Sequence, residues 1–296
     1  MSKSQLTIWY TAGALVVVLF LAGWAWRATR WLRKEPWETA PIEKTQLEKV
    51  RLEERPLFTV ERVRFWANEL QEPRFFLALV PKAAQPPQEA FILSHGWFDR
   101  PEFLLTELHV DQVYEKLLAA GQIRPALVIL PDVRFPDHFR RNRHGFPFPQ
   151  YLQLVAEEVA GAASRAYGVP LVREKWSLGG FSFGGYLSLD IARRYSGRFG
   201  AVSVVSGFAE DYWKFWPEDH GDPQVRGLQT VVMPGPVPRI FFACGTSDRM
   251  YGRMQGLHER FIKLGIPHQW STGPGGHTWK YWSSVLEPLF KFHLGS

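Results

Sequence analysis

The sequence predicts an α/β domain in which a mainly parallel β-sheet is covered by helices on both faces. From residue 58 onward, short apolar segments of strand length alternate with amphipathic segments of helix length. This alternation favours parallel pairing, because each helix returns the chain to the same edge of the sheet. Glycine-rich turns follow several of the strands. Reactive side chains in such turns would meet at the carboxyl edge of the sheet.

Each element is predicted from hydrophobic periodicity and from the glycines and prolines at its ends. Two strands, 58–65 and 74–80, open the domain as a pair. Further strands are predicted at residues 91–93, 126–130, 175–178, 201–205, 240–244 and 268–271. Helices are predicted at residues 107–120, 151–167, 183–195 and 254–264, with a last one after 277. The segment 209–238 is rich in Trp, Pro and Gly and predicts an irregular insert over the site.

The N-terminal region, residues 1–34, predicts a membrane anchor with a basic flank. Leu6 to Trp26 contains no charged residue. At a rise of 1.5 Å per residue, this segment is about 31 Å long, enough for a hydrocarbon core of about 30 Å. A cleaved signal peptide is the competing interpretation, but its apolar region is usually shorter and the small residues of a cleavage site are poorly placed here. Aromatic residues typical of membrane interfaces lie near both ends: Trp9, Tyr10, Trp24 and Trp26.

The net charge of +6 does not imply a nucleic-acid partner, because a basic cluster directly after the apolar segment is typical of membrane anchors. No helix-turn-helix, zinc-finger or RNA-binding signature accompanies the basic residues. By the positive-inside rule alone, the cluster after the apolar segment would place the catalytic domain in the cytoplasm. This cluster consists of Arg27, Arg30, Arg33 and Lys34. Residues 35–56 are predicted to be a linker, in which 43–55 could form a solvated helix, and residues 57–296 the catalytic domain.

A candidate nucleophile lies between a predicted strand and a predicted helix. Gly180-Phe181-Ser182-Phe183-Gly184 matches the pattern Gly-x-Ser-x-Gly, which in α/β-hydrolases forms a sharp turn that exposes the serine hydroxyl. A Cβ atom at either glycine would crowd the neighbouring backbone. The alternative is a turn whose serine only caps the helix. The flanking strand and helix favour the nucleophile.

Two later loops contain candidates for the acid and the base. Asp248 follows the strand 240–244, and His277 ends a glycine-rich loop after the strand 268–271. The order serine, acid, histidine is that of the α/β-hydrolase triad. A rival group lies in the irregular insert rather than at a strand end: Asp219, His220 and Asp222.

The remaining polar residues give no cofactor or metal signature. No HExxH motif or paired histidine spacing is present, so neither a metal nor a cofactor is predicted. Cys244 lies in an apolar run, which favours a buried, unreactive thiol. The backbone N–H groups of Trp97 and Phe183 are the predicted oxyanion donors, because Trp97 follows an early strand and Phe183 follows the serine. His95 is expected to have a supporting role.

Together these segments resemble the "putative esterase" family of α/β-hydrolases, which includes esterase D (S-formylglutathione hydrolase), feruloyl and acetyl-xylan esterases, and mycolyltransferases. The resemblance runs from about residue 91 to residue 290. It implies Ser182 as nucleophile, Asp248 as acid and His277 as base, with oxyanion amides at Trp97 and Phe183. Phe183 stands where many members have methionine. The resemblance is carried by Leu93–Gly96, Val128–Asp132, Gly179–Tyr186, Cys244–Asp248 and Gly273–Trp282.

These observations predict a membrane-anchored serine esterase that hydrolyses a small-molecule, carbohydrate or lipid ester through an acyl-enzyme. An acyltransferase with the same triad is one alternative. A catalytically silent binding protein, whose thirteen tryptophans hold a sugar or lipid, is another. Residues 98–105 and 209–238 are expected to set the depth of the acyl pocket. The family resemblance favours a catalytic domain outside the cytoplasm, contrary to the positive-inside rule, so the orientation stays open.

Overall fold

The computed structural model describes residues 34–97, 99–134, 148–207 and 235–295. The chain divides into two units, Met1–Trp37 and Glu38–Ser296, and the second contains the whole sheet. A short helix, Pro36–Thr39, lies where the two units meet in the sequence. The predicted membrane segment, Leu6 to Trp26, lies outside the described residues. Within the described ranges, no helix is both long enough and apolar enough to cross a bilayer.

The described part of the chain contains nine strands: β1 (Leu47–Glu54), β2 (Phe58–Ala67), β3 (Glu72–Pro81), β4 (Ala90–Ser94), β5 (Leu127–Pro131), β6 (Trp176–Phe181), β7 (Ala201–Val205), β8 (Arg239–Gly245) and β9 (Gln269–Gly273). They form one sheet in the order β1-β2-β3-β5-β4-β6-β7-β8-β9. The pairs β4–β5, β4–β6, β6–β7, β7–β8 and β8–β9 are parallel. The pairs β1–β2, β2–β3 and β3–β5 are antiparallel. The predicted mainly parallel sheet is therefore confirmed.

Helices cover both faces of this sheet, as β8 illustrates. Successive side chains of a strand point to opposite faces. Phe241 packs against Phe292 of the C-terminal helix at a ring distance of 5.4 Å, whereas Phe242 packs against Phe261 at 5.1 Å. The α-helices are Pro101–Thr106, Val110–Ala119, Phe148–Gln153, Ala160–Tyr167, Phe183–Arg194, Tyr251–Lys263 and Trp279–Leu294. A π-helical turn, Leu154–Val159, joins Phe148–Gln153 to Ala160–Tyr167.

Residues 43–55 do not form the solvated helix that their charges suggested. Residues 47–54, inside the predicted linker, form β1, which pairs with β2 along most of its length, with an irregularity between Arg51 and Glu53. The helix prediction is wrong because it considered only local patterns. The outer edge of β2 presents backbone groups that need partners, and β1 satisfies them.

The predicted helix 107–120 is also incorrect at its start. The chain forms one helix at Pro101–Thr106 and another at Val110–Ala119. His109, between them, has a left-handed backbone with φ of 55°. A left-handed residue cannot continue a right-handed helix, so the second helix starts after it. Most of the predicted insert, residues 208–234, lies outside the described part of the chain.

Candidate active site

Ser182 lies at a strained turn between β6 and the helix Phe183–Arg194. Its φ of 53° and ψ of −117° place a non-glycine residue in a sparsely populated conformation. The turn is held by two backbone hydrogen bonds, from Ser182 N–H to Val205 O (2.8 Å) and from Tyr186 N–H to Ser182 O (3.1 Å). Strain of this kind persists only where the surroundings over-determine it. The serine hydroxyl therefore projects at the carboxyl edge of the sheet.

The two glycines of the motif allow this turn to pack closely on β4. A Cβ atom at Gly180 would lie 2.7 Å from Ser94 O, and one at Gly184 would lie 2.6 Å from His95 O. Both distances are too short for a carbon atom beside a backbone oxygen. The motif glycines are thus required by close approach of the backbone, as the pattern predicted.

The structure brings the three predicted triad side chains together. The Ser182 hydroxyl lies 2.9 Å from His277 Nε2. His277 Nδ1 lies 3.0 Å from Asp248 Oδ1 and 3.1 Å from Oδ2. With a neutral imidazole, Nδ1–H donates to the carboxylate, and Nε2 is left to accept the serine proton. The arrangement can convert the hydroxyl into a nucleophile.

The Asp248 carboxyl is fully buried, and its surroundings favour the ionised form. Burial alone would raise its pKa. Hydrogen bonds from His277, from Met250 N–H and from the Ser206 hydroxyl outweigh burial and hold its pKa below the ordinary value. Met250 N–H donates at 2.8 Å, and Trp282 Nε1–H donates to Ser206 Oγ at 3.1 Å. An ionised carboxylate beside Nδ1 keeps the imidazole in the tautomer that can accept the serine proton.

Backbone hydrogen bonds connect the loop that contains Asp248 to the loop that contains His277. Thr246 N–H donates to Gly273 O and Ser247 N–H donates to Gly275 O, both at 2.9 Å. Gly275 has φ of 146°, and a Cβ there would lie 2.8 Å from the Tyr281 ring. Glycine is the residue that combines this backbone with this close packing. The positions of Asp248 and His277 are therefore coupled through the main chain.

The loop after β4 lies directly over the serine. A Cβ placed on Gly96 would be 3.4 Å from Ser182 Cβ. The rings of Trp97 and Phe183 pack edge to face, with centroids 5.2 Å apart. The structure thus brings the side chains of the two predicted oxyanion residues together beside Ser182. An oxyanion hole needs two N–H donors that converge on one point, and the two predicted donors belong to this loop and to the start of the helix Phe183–Arg194.

His95 supports this loop and does not contact the triad serine in the described structure. Its Nδ1–H donates to Gly96 O at 2.8 Å, and its Nε2 accepts from Val133 N–H at 3.1 Å. Complete burial lowers the pKa of His95 to about 4, so the imidazole is neutral. The two hydrogen bonds require that neutral form. His95 therefore links the β4 loop to the end of β5, in keeping with its predicted supporting role.

A buried ion network continues from the end of β5. Arg134 contacts Asp132 at 2.8 Å and Glu38 at 2.6 Å. Glu38 also contacts Arg100 at 2.5 Å, immediately before the helix Pro101–Thr106. Removing one member of a buried ion pair leaves an uncompensated charge. Glu38 is therefore a member of the buried ion network beside the loop that follows β4.

Most of the chain matches the model of a known protein family. The family model described as "Putative esterase" matches residues 68–293. The chain belongs to this esterase family. The matched range contains the serine, acid and histidine loops, so the family resemblance predicted from the motifs is confirmed.

Individual relatives of this esterase are distant. The acetyl esterase of Caldicellulosiruptor saccharolyticus is 24% identical over 165 residues, which are 47% of this chain and 62% of the relative. The chain thus spans less than two thirds of that curated relative. A ferulic acid esterase structure has 20% identity and a TM-score of 0.67, covering 84% of this chain and 98% of its own. An S-formylglutathione hydrolase of Agrobacterium tumefaciens has 18% identity and a TM-score of 0.64, with coverages of 80% and 94%. At these identities, the two structures show a shared fold.

Three other sequence predictions concern Cys244, a metal site and the rival carboxylates. Cys244 is buried, and burial raises the pKa of its thiol to about 12, which agrees with an unreactive cysteine. Within the described ranges, no group of three or more His, Cys, Asp or Glu side chains is arranged to hold a metal. The rival group in the insert lies outside the described residues: Asp219, His220 and Asp222.

Two residues of the site were missed from the sequence, Ser206 and Asp99. Ser206 lies at the end of β7 with φ of 52°, beside the Asp248 carboxylate. Asp99 lies in the loop after β4, where its Oδ2 is 2.6 Å from the position that a Gly96 Cβ would occupy. Glycine at position 96 therefore makes room for a carboxyl group close to the nucleophile. Neither residue is part of a short motif, so no sequence pattern identified them.

We expect the Asp99→Asn variant to be more stable than the wild type at pH 8. Burial raises the pKa of Asp99 to about 7, although a hydrogen bond with Gly96 opposes it. In the unfolded chain, the Asp99 carboxyl loses its proton at about pH 4. In the folded chain, it keeps the proton up to about pH 7. The free energy of unfolding therefore falls across that window and is then constant.

The size of this gain tests the environment of Asp99. Asparagine does not ionise, so the gain should have an upper limit of about 4 kcal/mol at pH 8 and be smaller at pH 5. Urea unfolding at both pH values measures it. Glu174→Gln, at an exposed position, is the control. An equal effect of Asp99→Asn at both pH values would contradict a buried, proton-retaining carboxyl.

Proposed function

We propose that this protein is a serine carboxylesterase that hydrolyses esters through an acyl-enzyme. The observation that carries the proposal is the continuous hydrogen-bonded chain from Ser182 through His277 to Asp248. It lies at the carboxyl edge of a parallel sheet, in a chain that belongs to an esterase family. A helix-capping serine would not require a histidine and a buried carboxylate in line with its hydroxyl.

In the acylation step, Ser182 Oγ attacks the carbonyl carbon of the ester while His277 Nε2 takes the hydroxyl proton. The N–H groups of Trp97 and Phe183 bind the oxygen that becomes negatively charged. When the tetrahedral intermediate collapses, the C–O bond to the alcohol breaks and His277 returns the proton to the departing oxygen. Asp248 stabilises the imidazolium throughout and does not take the proton.

In the deacylation step, water replaces the alcohol. His277 takes a proton from water, the hydroxyl attacks the acyl carbon, and the Ser182–acyl bond breaks as the serine regains its proton. An acyltransferase would follow the same course with a second alcohol in place of water. Analysis of the product, as free acid or as new ester, distinguishes the two outcomes.

The substrate class proposed here is a small-molecule, carbohydrate or lipid ester. Related proteins are named for acetyl, ferulic acid and S-formylglutathione esters, which differ widely in acyl size. Hydrolysis across acetyl, butyryl, octanoyl and feruloyl esters of one chromogenic alcohol would establish which acyl group fits. A hydrolase should turn over at least one member of this set.

A fluorophosphonate probe tests the proposed activity directly. The probe phosphonylates a serine that is activated by a histidine, so the wild-type esterase should become labelled and lose activity. A binding protein that retains only the fold should not react. Absence of both labelling and hydrolysis would therefore overturn the proposal.

We further propose that residues 6–26 anchor the esterase in a membrane by a single span. The support is the uncharged run of twenty-one residues with aromatic ends. Full-length protein should sediment with membranes and be released by detergent but not by salt. A variant that begins at Lys34 retains Glu38, and with it the buried contacts to Arg100 and Arg134, so it should be soluble and active. Uncleaved full-length protein in the soluble fraction would contradict the anchor.

A further inference from the structure

A cavity lies at the edge of the sheet opposite the triad. Its walls come from the first residues of β4, β6, β7 and β8 and from the end of the helix Trp279–Leu294. The triad loops follow the last residues of the strands, so the two sites are separated by the length of the parallel strands. The cavity volume is about 180 Å³. Since one water needs about 10–15 Å³ by this measure, a small polyatomic ion and several waters would fit.

Positive charge exceeds negative charge around this cavity. Its basic side chains are Arg124, Arg173, Lys175 and Arg239, and its acidic side chains are Glu89 and Glu174. Glu89 is shared between Arg124 at 2.9 Å and Lys175 at 3.6 Å. Glu174 has a largely exposed side chain and lies 3.7 Å from Arg173. The two carboxylates therefore do not neutralise the four cations.

Arg239 carries the clearest excess of charge. It donates to Phe292 O at 2.9 Å and lies over the Phe292 ring at 5.0 Å, but within the described chain no carboxylate approaches it within 4.0 Å. Burial and the nearby charge of Arg124 lower the pKa of Arg239, and the charge of Glu89 opposes them. An anion beside Arg239 would supply the carboxylate-like partner that this guanidinium lacks among the described residues.

His293 supplies an independent indication of a ligand. Its imidazole is buried, lines the cavity, and stacks on Phe91 at 4.1 Å. His293 Nε2 lies 2.8 Å from Ser203 Oγ, while Nδ1 is buried without a hydrogen-bond partner in the part of the chain that the structure describes. Buried polar atoms are nearly always paired, so an unpaired one beside a polar cavity indicates a missing partner. If Ser203 donates to Nε2, Nδ1 carries a proton to offer.

We propose that this cavity binds a phosphate group, either as inorganic phosphate or as a small phosphate monoester. Arg239 and Lys175 would bind its oxygens, and His293 Nδ1–H would act as a neutral donor. Arg124 would add positive charge nearby while it stays bonded to Glu89 and Gly295 O. Phosphate fits this set because it presents several acceptor oxygens to donors that converge from different directions. The site does not depend on the triad or on the proposed esterase activity.

Calorimetric titration of purified protein with inorganic phosphate, and separately with glycerol 3-phosphate, tests this site at constant low ionic strength. We expect saturable binding of at least one of them, with the same dissociation constant in the Ser182→Ala variant. Phosphate should also raise the melting temperature, because a ligand that binds only the folded state stabilises it. Tighter binding of glycerol 3-phosphate would favour the monoester form of the proposal, and tighter binding of inorganic phosphate would favour the free ion.

Matched variants distinguish a built site from general attraction. Arg239→Gln and Lys175→Gln should each weaken binding by about tenfold or more, because each removes a charged donor. Arg165→Gln, at an exposed position on the helix Ala160–Tyr167, should leave binding unchanged. Circular dichroism would verify that all three variants are folded. The proposal is overturned if the wild type binds neither ligand at millimolar concentration, or if all three substitutions have the same effect.

Discussion

Replacing Ser182 with alanine is expected to lower kcat by on the order of 10⁶, by analogy with other triad serine hydrolases. The substitution removes one oxygen atom, which in the wild type lies 2.9 Å from His277 Nε2. No acyl group can then be carried on the side chain. The main-chain turn and its hydrogen bonds remain available, so the variant should fold. Ester hydrolysis and intact-mass detection of the phosphonylated protein measure the two consequences.

A matched control for this variant is available in the helix Phe183–Arg194, which follows Ser182. Ser188 is also buried, and its hydroxyl donates to Gly184 O at 2.8 Å, away from the triad hydrogen bonds. Ser188→Ala should therefore keep most of the activity and the fluorophosphonate labelling. Activity of Ser182→Ala close to that of the wild type would refute the assignment of the nucleophile.

Replacing Asp248 with asparagine is expected to lower kcat by about 10⁴ with the fold intact. The carboxylate accepts from His277 Nδ1–H, whereas an asparagine amide can present a donor to that nitrogen. The imidazole would then carry its proton on Nε2 and could not accept the serine proton. Because the Asp248 side chain is fully buried beside His277, water cannot readily substitute for it.

The rival carboxylates provide the comparison for this second prediction. Asp219→Asn and Asp222→Asn should keep most of the turnover, and a carboxylate that only touches substrate should change KM more than kcat. Kinetics on the three purified variants, with circular dichroism, decide between them. An active Asp248→Asn together with an inactive insert variant would transfer the acid role to the insert. Ser182 and His277 could keep their roles in that case.

The predictable part of this molecule is the part that local patterns specify. The strand β7 was predicted at residues 201–205 and occupies those residues. The glycines around Ser182 and the positions of Asp248 and His277 after strands β8 and β9 were also recognised from short stretches of sequence. In a parallel sheet, the carboxyl ends of neighbouring strands lie along the same edge. Residues distant in sequence could therefore be assigned to one edge without knowledge of their contacts.

The features that were missed depend on contacts between distant segments. Residues 47–54 form a strand because the edge of β2 is available, which no local periodicity indicates. Ser206 and Asp99 are near the triad because a strand end and a loop approach the nucleophile from separate parts of the chain. The buried contact between Glu38 and Arg134 joins residues 96 positions apart. Such pairings require the assembled fold.

The two main-chain hydrogen bonds between the loop of Asp248 and the loop of His277 have a consequence for the conformational entropy of the candidate site. Thr246 and Ser247 hold the glycine-rich loop of His277 before any substrate arrives. Ordering a flexible loop around a catalytic side chain would otherwise oppose every reaction event. Here the entropy of that ordering is lost once, when the chain folds. In the proposed mechanism, His277 is therefore already aligned on the Asp248 carboxylate before a substrate binds.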